Sequence, residues 1–194
     1  MRMKNPIVIA QNNISQHLSI MRTTEKDFVL KVKEFSMMIK NVLKNKGKII
    51  IFGNGGSAAD SQHFAAELVV KLKKKRKAIP ALALTTDSSI ITAVGNDYSF
   101  KKIFSRQLEA LAKKQDVAIA ISTSGKSENI IDALKYCKQK NIKTIGILGN
   151  KGLPAKKFCN NFYLVPSDIP SRVQEVHIIF WQTLCEVIEA NFSG

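Results

Sequence analysis

Residues 48–71, KIIIFGNGGSAADSQHFAAELVVK, decide the fold. Residues 48–52 are a short apolar run of the kind carried by a strand covered on both faces. Gly53-Asn54-Gly55-Gly56-Ser57 is a glycine-rich turn, and 58–71 returns apolar residues at helical spacing. Strand, tight turn and helix together make half of a βαβ unit, and the same order recurs downstream. Residues 81–84 read as a second strand, with helical pieces over 88–95 and 98–112. Residues 116–121, DVAIAI, are a third strand, followed by a polar loop at 122–127 and a helix over 128–140. KTIGIL at 143–148 and residues 162–165 are further strands, and 171–191 is a long closing helix. This alternation predicts an α/β fold. It is a three-layer sandwich with a central parallel sheet, doubly wound, with helices on both faces. Upstream, Ile14, Leu18, Met21, Phe28, Val32, Phe35, Ile39 and Val42 are spaced mostly by three, four or seven. They predict a long helix over 13–45 that ends at Lys46-Gly47, so residues 1–45 read as an N-terminal helical extension and 46–194 as the sheet domain.

The chain has 194 residues, with 45% hydrophobic and 23% charged. That suits one folded domain with its own core and excludes wholesale disorder. No apolar run approaches the ~20 residues of a membrane helix. The stretch 6–10, after Arg2 and Lys4, is too short for a signal-peptide core, so a soluble, cytoplasmic chain is expected. Cys137, Cys159 and Cys185 are scattered and odd in number, which argues against a disulfide framework and a thiolate zinc site. Thirty Lys and Arg against 15 Asp and Glu give a net charge of +15, which favours anionic partners. The densest patch is Lys71, Lys73, Lys74, Lys75, Arg76 and Lys77, without interleaved aromatics. It reads as a solvated helix end with cations at the negative pole of the dipole rather than as a nucleic-acid surface.

Ligands of such sheets bind beyond the carboxyl ends of the strands, and two loops fall there. Asn54, Gly55, Gly56 and Ser57 combine backbone that can approach an anion closely with the positive end of a helix. The loop lacks a P-loop lysine and is not a dinucleotide fingerprint. Ser122, Thr123, Ser124 and Ser127 place four hydroxyls around Gly125 and Lys126 before the next helix, a phosphate cradle with no catalytic group of its own. Ser127 could also simply cap that helix. His63 and Glu67 are i, i+4 on the helix opened by the glycine loop. They could be metal ligands, a base and its neighbour, or a structural pair. The last helix is apolar nearly all round and is expected to be buried. Gln174 and His177 on it need partners or a site. Asn96 and Asp97 form a polar turn that could bind sugar hydroxyls or cap the next helix. His17 is assigned no role.

FGNGGSAADSQHFAAEL (52–68), TAVGNDYSFKKIFSRQLEAL (92–111), ISTSGKSENI (121–130) and SRVQEVHI (171–178) resemble the phosphoheptose isomerases, which are sugar-isomerase (SIS) domain proteins. The resemblance runs over nearly the whole chain. It implies an SIS domain over 46–194 and a cytoplasmic homotetramer with active sites between subunits. The implied reaction interconverts sedoheptulose 7-phosphate and D-glycero-D-manno-heptose 7-phosphate through an enediol, the first step of nucleotide-activated heptose synthesis for surface polysaccharide. By match to the family motifs, Asn54, Gly55, Gly56, Ser57, Asn96, Asp97 and Gln174 lie at the substrate, and Ser122, Thr123, Ser124 and Ser127 hold its phosphate. Glu67 would be the base, with His63 beside it. His63, Glu67 and Gln174 match zinc-ligand positions, which implies one zinc per subunit. The family's catalytic histidine, eight residues after that Gln, is Gln182 here. An amide cannot act as a general acid at neutral pH and is a poor zinc ligand. The alternative reading is therefore a non-catalytic SIS-fold binding or regulatory protein, like the replication-initiator-associating protein. A third keeps the sugar-phosphate site and changes the substrate.

Overall fold

The computed structural model describes residues 5–191, apart from the side chain of Leu153. The positions of Arg2 and Lys4, and the outer ends of the two ranges 1–45 and 46–194, lie outside the described residues. Five strands form one sheet: β1 (Ile49–Gly53), β2 (Ala81–Ala83), β3 (Val117–Ser122), β4 (Lys143–Gly149) and β5 (Asn161–Val165). They are ordered β2-β1-β3-β4-β5, and every pairing is parallel. The chain turns direction in the sheet at β1, so the crevice between the carboxyl ends of β1 and β3 is where such a sheet accepts a ligand.

The strands explain the two cores. Odd-numbered residues Ile49, Ile51, Val117, Ile119, Ile121, Ile145 and Ile147 face one side, which is covered by α1 (Pro6–Lys44), α2 (Gly56–Val69) and α7 (Pro170–Asn191). Even-numbered residues Ile50, Phe52, Ala118, Ala120 and Leu148 face the other. There they meet α3 (Ser88–Asp97), α4 (Ser105–Leu111), α5 (Glu128–Gln139) and α6 (Leu153–Lys156). With both faces covered, the strands carry unbroken apolar runs instead of an alternation. The doubly wound three-layer α/β sandwich is thus the observed architecture.

Apart from shifts of a residue or two at element ends, the structure departs from the sequence reading in a few places. Helix α1 begins at Pro6, not near residue 13, because Asn5 accepts the Ile7 N–H at 3.0 Å and Pro6 occupies the first turn. Apolar spacing could not find this start, since the first turns face solvent. The helix expected over 98–112 starts late, because the backbone at Ser99 is extended, and consists of a 3-10 turn, Phe100–Lys102, followed by α4. Helix α6 was not foreseen; it is one turn long. The helix expected to run to Lys71 stops at Val69, so segment 71–77 lies just past it, with Arg76 reaching back to the carbonyls of its last turn. No described helix is long and apolar enough to cross a membrane.

The second half of α1 belongs to the core: Phe35 and Ile39 are fully buried, and Phe28 meets Phe180 of α7 edge-on. The first half runs out with Ile7, Val8, Ile9, Ile14 and Leu18 exposed. The three cysteines are free thiols, and burial pushes Cys137 and Cys159 up to about 12 and Cys185 higher still.

Candidate active site

The two predicted loops leave the carboxyl ends of adjacent strands, β1 and β3. In the first, Gly55 has φ +58°, a left-handed conformation that favours glycine. It is the N-cap of α2 and makes no side-chain cap bond. Gly56 lies close to α7: a Cβ there would lie 2.6 Å from Nε2 of Gln174. The α2 N-terminus and the start of α7 are therefore in direct contact. Ser57 is buried, and its carbonyl accepts from the Ser61 hydroxyl.

In the second loop, Gly125 has φ +58° and packs against Gly152, where a Cβ would meet the Gly152 Cα at 2.3 Å. The buried Ser122 hydroxyl accepts the Gly125 N–H at 3.0 Å, and the Ser124 hydroxyl accepts the Lys126 N–H at 3.2 Å. Ser127 occupies the N-cap of α5 but makes no side-chain cap bond. The capping role considered for its hydroxyl is thus not what the geometry shows. Ser127 and Thr123 are half-buried at the helix start, where unpaired N–H groups and the dipole favour an anion.

Asn129, which no motif reasoning singled out, ties the loops together. Its amide nitrogen donates to Asn54 Oδ1 and its Oδ1 accepts from Asn54 Nδ2, both at 2.9 Å. Asn129 is almost fully buried. Its position two residues past Ser127 was readable in the sequence, but its partner, 75 residues away, was not.

On α2, His63 Nε2 and Glu67 Oε1 are 2.9 Å apart. The His63 side chain is 54% exposed and that of Glu67 19%, so the imidazole opens outward while the carboxylate sits closer to the protein. Trp181 of α7 braces both flanks of this turn. Its ring meets His63 edge-on at 4.9 Å and stacks on Phe64 at 5.5 Å. Asp60, one turn earlier, is desolvated by burial, which pushes its carboxyl up to about 6 against the opposing influence of His63. Helix α7 runs parallel to α2, with Gln174 beside Gly56 and Trp181 beside His63. Gln182 follows Trp181 directly and is half-buried.

Other expected residues fall elsewhere. Asn96 and Asp97 end α3, are exposed, and bond each other, Asn96 Nδ2 donating to Asp97 Oδ1 at 2.8 Å. No hydrogen bond among the described residues joins either to the two loops. Asp97 does not cap the following turn, whose N-cap is Ser99. His177 is fully buried, and neither ring nitrogen has a hydrogen-bond partner. Burial lowers its pKa to about 4; the nearby Leu148 backbone pulls the other way without reaching hydrogen-bond geometry. It is a neutral core residue. His17, given no role, meets Glu175 Oε2 at 3.1 Å.

Of the residues considered for zinc, two are in contact. His63 and Glu67 are together, whereas Gln174 sits at the Gly56 end of α2, about two turns away. The described residues contain no group of three His, Cys, Asp or Glu side chains placed to hold a metal. One imidazole and one carboxylate are two of the three protein ligands that a catalytic zinc takes.

The chain and its fold have known relatives. The family described as SIS domain matches residues 11–149. Phosphoheptose isomerase 1 of Campylobacter jejuni is 47% identical over 188 residues, covering 96% of this chain and 100% of its own length. The phosphoheptose isomerase of Nitratiruptor is 50% identical over 157 residues, covering 81% and 84%. Among solved structures, phosphoheptose isomerase GmhA from Neisseria gonorrhoeae superposes with a TM-score of 0.90 at 34% identity, over 96% of this chain and 100% of that one. A phosphoheptose isomerase from Francisella tularensis gives 0.92 at 30%, with the same coverage. This chain therefore belongs to the SIS-domain family and, within it, to the phosphoheptose isomerases.

Proposed function

We propose that the chain is an aldose–ketose isomerase that interconverts sedoheptulose 7-phosphate and D-glycero-D-manno-heptose 7-phosphate. The observation that carries this reading is the His63–Glu67 pair, placed on the helix that opens at the glycine loop and beside the hydroxyl loop of the next strand. Ser124, Thr123 and Ser127, with the start of α5, take the phosphate, and Ser122 shapes their loop. The loop Asn54, Gly55, Gly56 and Ser57 faces the sugar end. Asn96, Asp97 and Gln174 complete the substrate contacts, for which a second subunit is needed at the exposed Asn96–Asp97 turn.

The reaction needs a base that takes a proton from C1 of the ketose and returns it to C2. Glu67 fills that role. The C1–H electron pair becomes the double bond of the enediol, and the proton held on the carboxyl is delivered to C2 as the C1 aldehyde forms. The hydroxyl proton moves from O1 to O2. His63, within hydrogen-bond distance of Glu67, orients the carboxylate and is the nearest group able to exchange that second proton. Gln182 can donate a hydrogen bond to an oxygen but cannot take part in proton exchange.

The resemblance also implies one zinc per subunit. His63 and Glu67 would be its strong ligands, with Gln174 or Gln182 as a weaker one. Bound there, zinc would polarise the carbonyl oxygen. A homotetramer fits the exposed apolar residues of α1 and the open groove of about 460 Å³ between Ile14, Leu18, Ile178 and Ile179. In this reading residues 1–45 form the helical extension that packs between subunits, residues 46–194 the SIS domain, and the enzyme works in the cytoplasm. The binding-protein alternative is not favoured, since a pure binder has no use for the paired Glu67 and His63.

The test is turnover of sedoheptulose 7-phosphate by purified protein, with and without added zinc, with the heptose phosphates separated by anion exchange. Formation of the aldose phosphate is expected. Absence of product in both conditions from a folded oligomer would overturn the isomerase reading.

A further inference from the structure

The basic segment 71–77 has no part in the site as described, yet one of its side chains turns inward. The Arg76 side chain is 7% exposed, in contrast to its lysine neighbours. Its Nη2 donates to the backbone carbonyl of Glu67 at 2.7 Å and its Nη1 to that of Leu68 at 2.8 Å. Its Nε donates to Glu189 Oε1 at 3.1 Å. Glu189, near the end of α7 and 3% exposed at its side chain, also accepts three consecutive backbone N–H groups, of Leu72, Lys73 and Lys74, at 2.8–3.1 Å.

Glu67 lies in the last turn of α2, where carbonyls have lost their helical donors. Val70 N–H still bonds Ala66, and Ile79 N–H bonds Leu68, but among the described residues no backbone N–H reaches the Glu67 carbonyl. Arg76 is its partner. Without it the final turn, and the origin of the Glu67 side chain, would be free to fray. A cation at this end is also favourable to the helix dipole. The same guanidinium is bound to α7, the helix that carries Gln174, Trp181 and Gln182.

We infer that Arg76, held by Glu189, is a positioning residue for Glu67: it replaces the missing i+4 donor and sets the carboxylate relative to α7. This rests on the reading of Glu67 as the base. It assigns the inward member of the basic segment to catalytic geometry, leaving Lys71, Lys74, Lys75 and Lys77 as exposed cations.

The test compares wild type with Arg76→Met, Arg76→Lys and the double variant Arg76→Met/Glu189→Gln. The double variant removes both buried charges while the new amide oxygen still accepts the Lys73 and Lys74 N–H groups and the Leu72 N–H loses its acceptor, so thermal stability returns part of the way toward wild type. Displacement of a reacting group by about 1 Å can cost up to ~100-fold. Arg76→Met is expected to lower kcat at least tenfold with KM within twofold. Arg76→Lys should recover much of the loss, and the double variant should regain part of the lost Tm without regaining kcat. Recovery of kcat together with Tm would make the pair merely structural and overturn the inference, as would unchanged kcat in folded Arg76→Met. A second readout needs no turnover: the ¹⁵N shifts of the His63 imidazole in the purified protein. They should move in Arg76→Met and return in Arg76→Lys. Unmoved shifts in folded Arg76→Met overturn the inference. Wild type that fails to turn over the sugar phosphate overturns the isomerase reading instead, with the imidazole shifts still deciding whether Arg76 positions the pair.

Discussion

Asn54 and Asn129 exchange two hydrogen bonds of 2.9 Å, amide to amide, across the carboxyl edge of the sheet. One residue belongs to the glycine loop and the other to the helix behind the hydroxyl loop. The exchange uses one N–H and one acceptor position of each side chain. For a substrate it leaves the second Asn54 N–H and the backbone groups beside it. It also holds the two loops at a fixed separation, which a ligand gripped at both ends requires. Asn129→Ala is expected to cost about 1–3 kcal/mol of stability, because Asn54 loses a partner at a half-buried site. Calorimetry should show sugar-phosphate affinity falling more than affinity for inorganic phosphate. Equal losses would mean that Asn129 serves only the hydroxyl loop.

Glu67→Gln preserves shape and the contact with His63 while removing the base. Turnover should fall at least a thousandfold, with the circular dichroism spectrum and the oligomer mass unchanged. Near-normal turnover would remove Glu67 from the reaction.

Gly56→Ala separates site geometry from stability. The new methyl would lie 2.6 Å from Gln174 Nε2, the far end of a flexible side chain, so the amide should swing away at little cost to Tm. If Gln174 contacts substrate as proposed, KM should rise several-fold. A thermal melt and a substrate titration on the same preparation check both halves; an unchanged KM would place Gln174 outside the contact set.

His177 makes acid stability predictable in sign. Its pKa is lowered from 6.5 to about 4 in the folded protein because the buried ring resists charge. At pH 7 and above both states are neutral at this position and it contributes no pH dependence. As pH falls below about 6.5 the unfolded chain takes up a proton that the folded chain refuses, so stability drops, by at most ~1.4 kcal/mol per pH unit, until about pH 4. His177→Phe should flatten the denaturation midpoint over that window relative to wild type. Parallel curves for the two proteins would show that His177 is not the responsive group.

The sequence by itself determined the layer order and the positions of the loops. Runs such as residues 49–52 and 117–121 are apolar on every residue because helices cover both faces of the sheet, and that covering is a local consequence of the strand–loop–helix alternation. Gly55 was legible for the same reason: its backbone conformation is a property of one turn. His63 and Glu67 were legible as a pair because i, i+4 spacing is built into a helix, and the tertiary structure brought their polar atoms within bonding distance. Tertiary structure alone decided what crosses between elements. Spacing could not pair Asn54 with Asn129, seat Gln174 against Gly56, or turn Arg76 of a lysine-rich run inward to Glu189, because each depends on a contact between segments far apart in the chain. Nor could it tell that His177 is a neutral core residue while His63, on a less apolar helix, stands open at the site. Burial is set by what packs against a helix face, and neighbours in space are chosen by the whole fold.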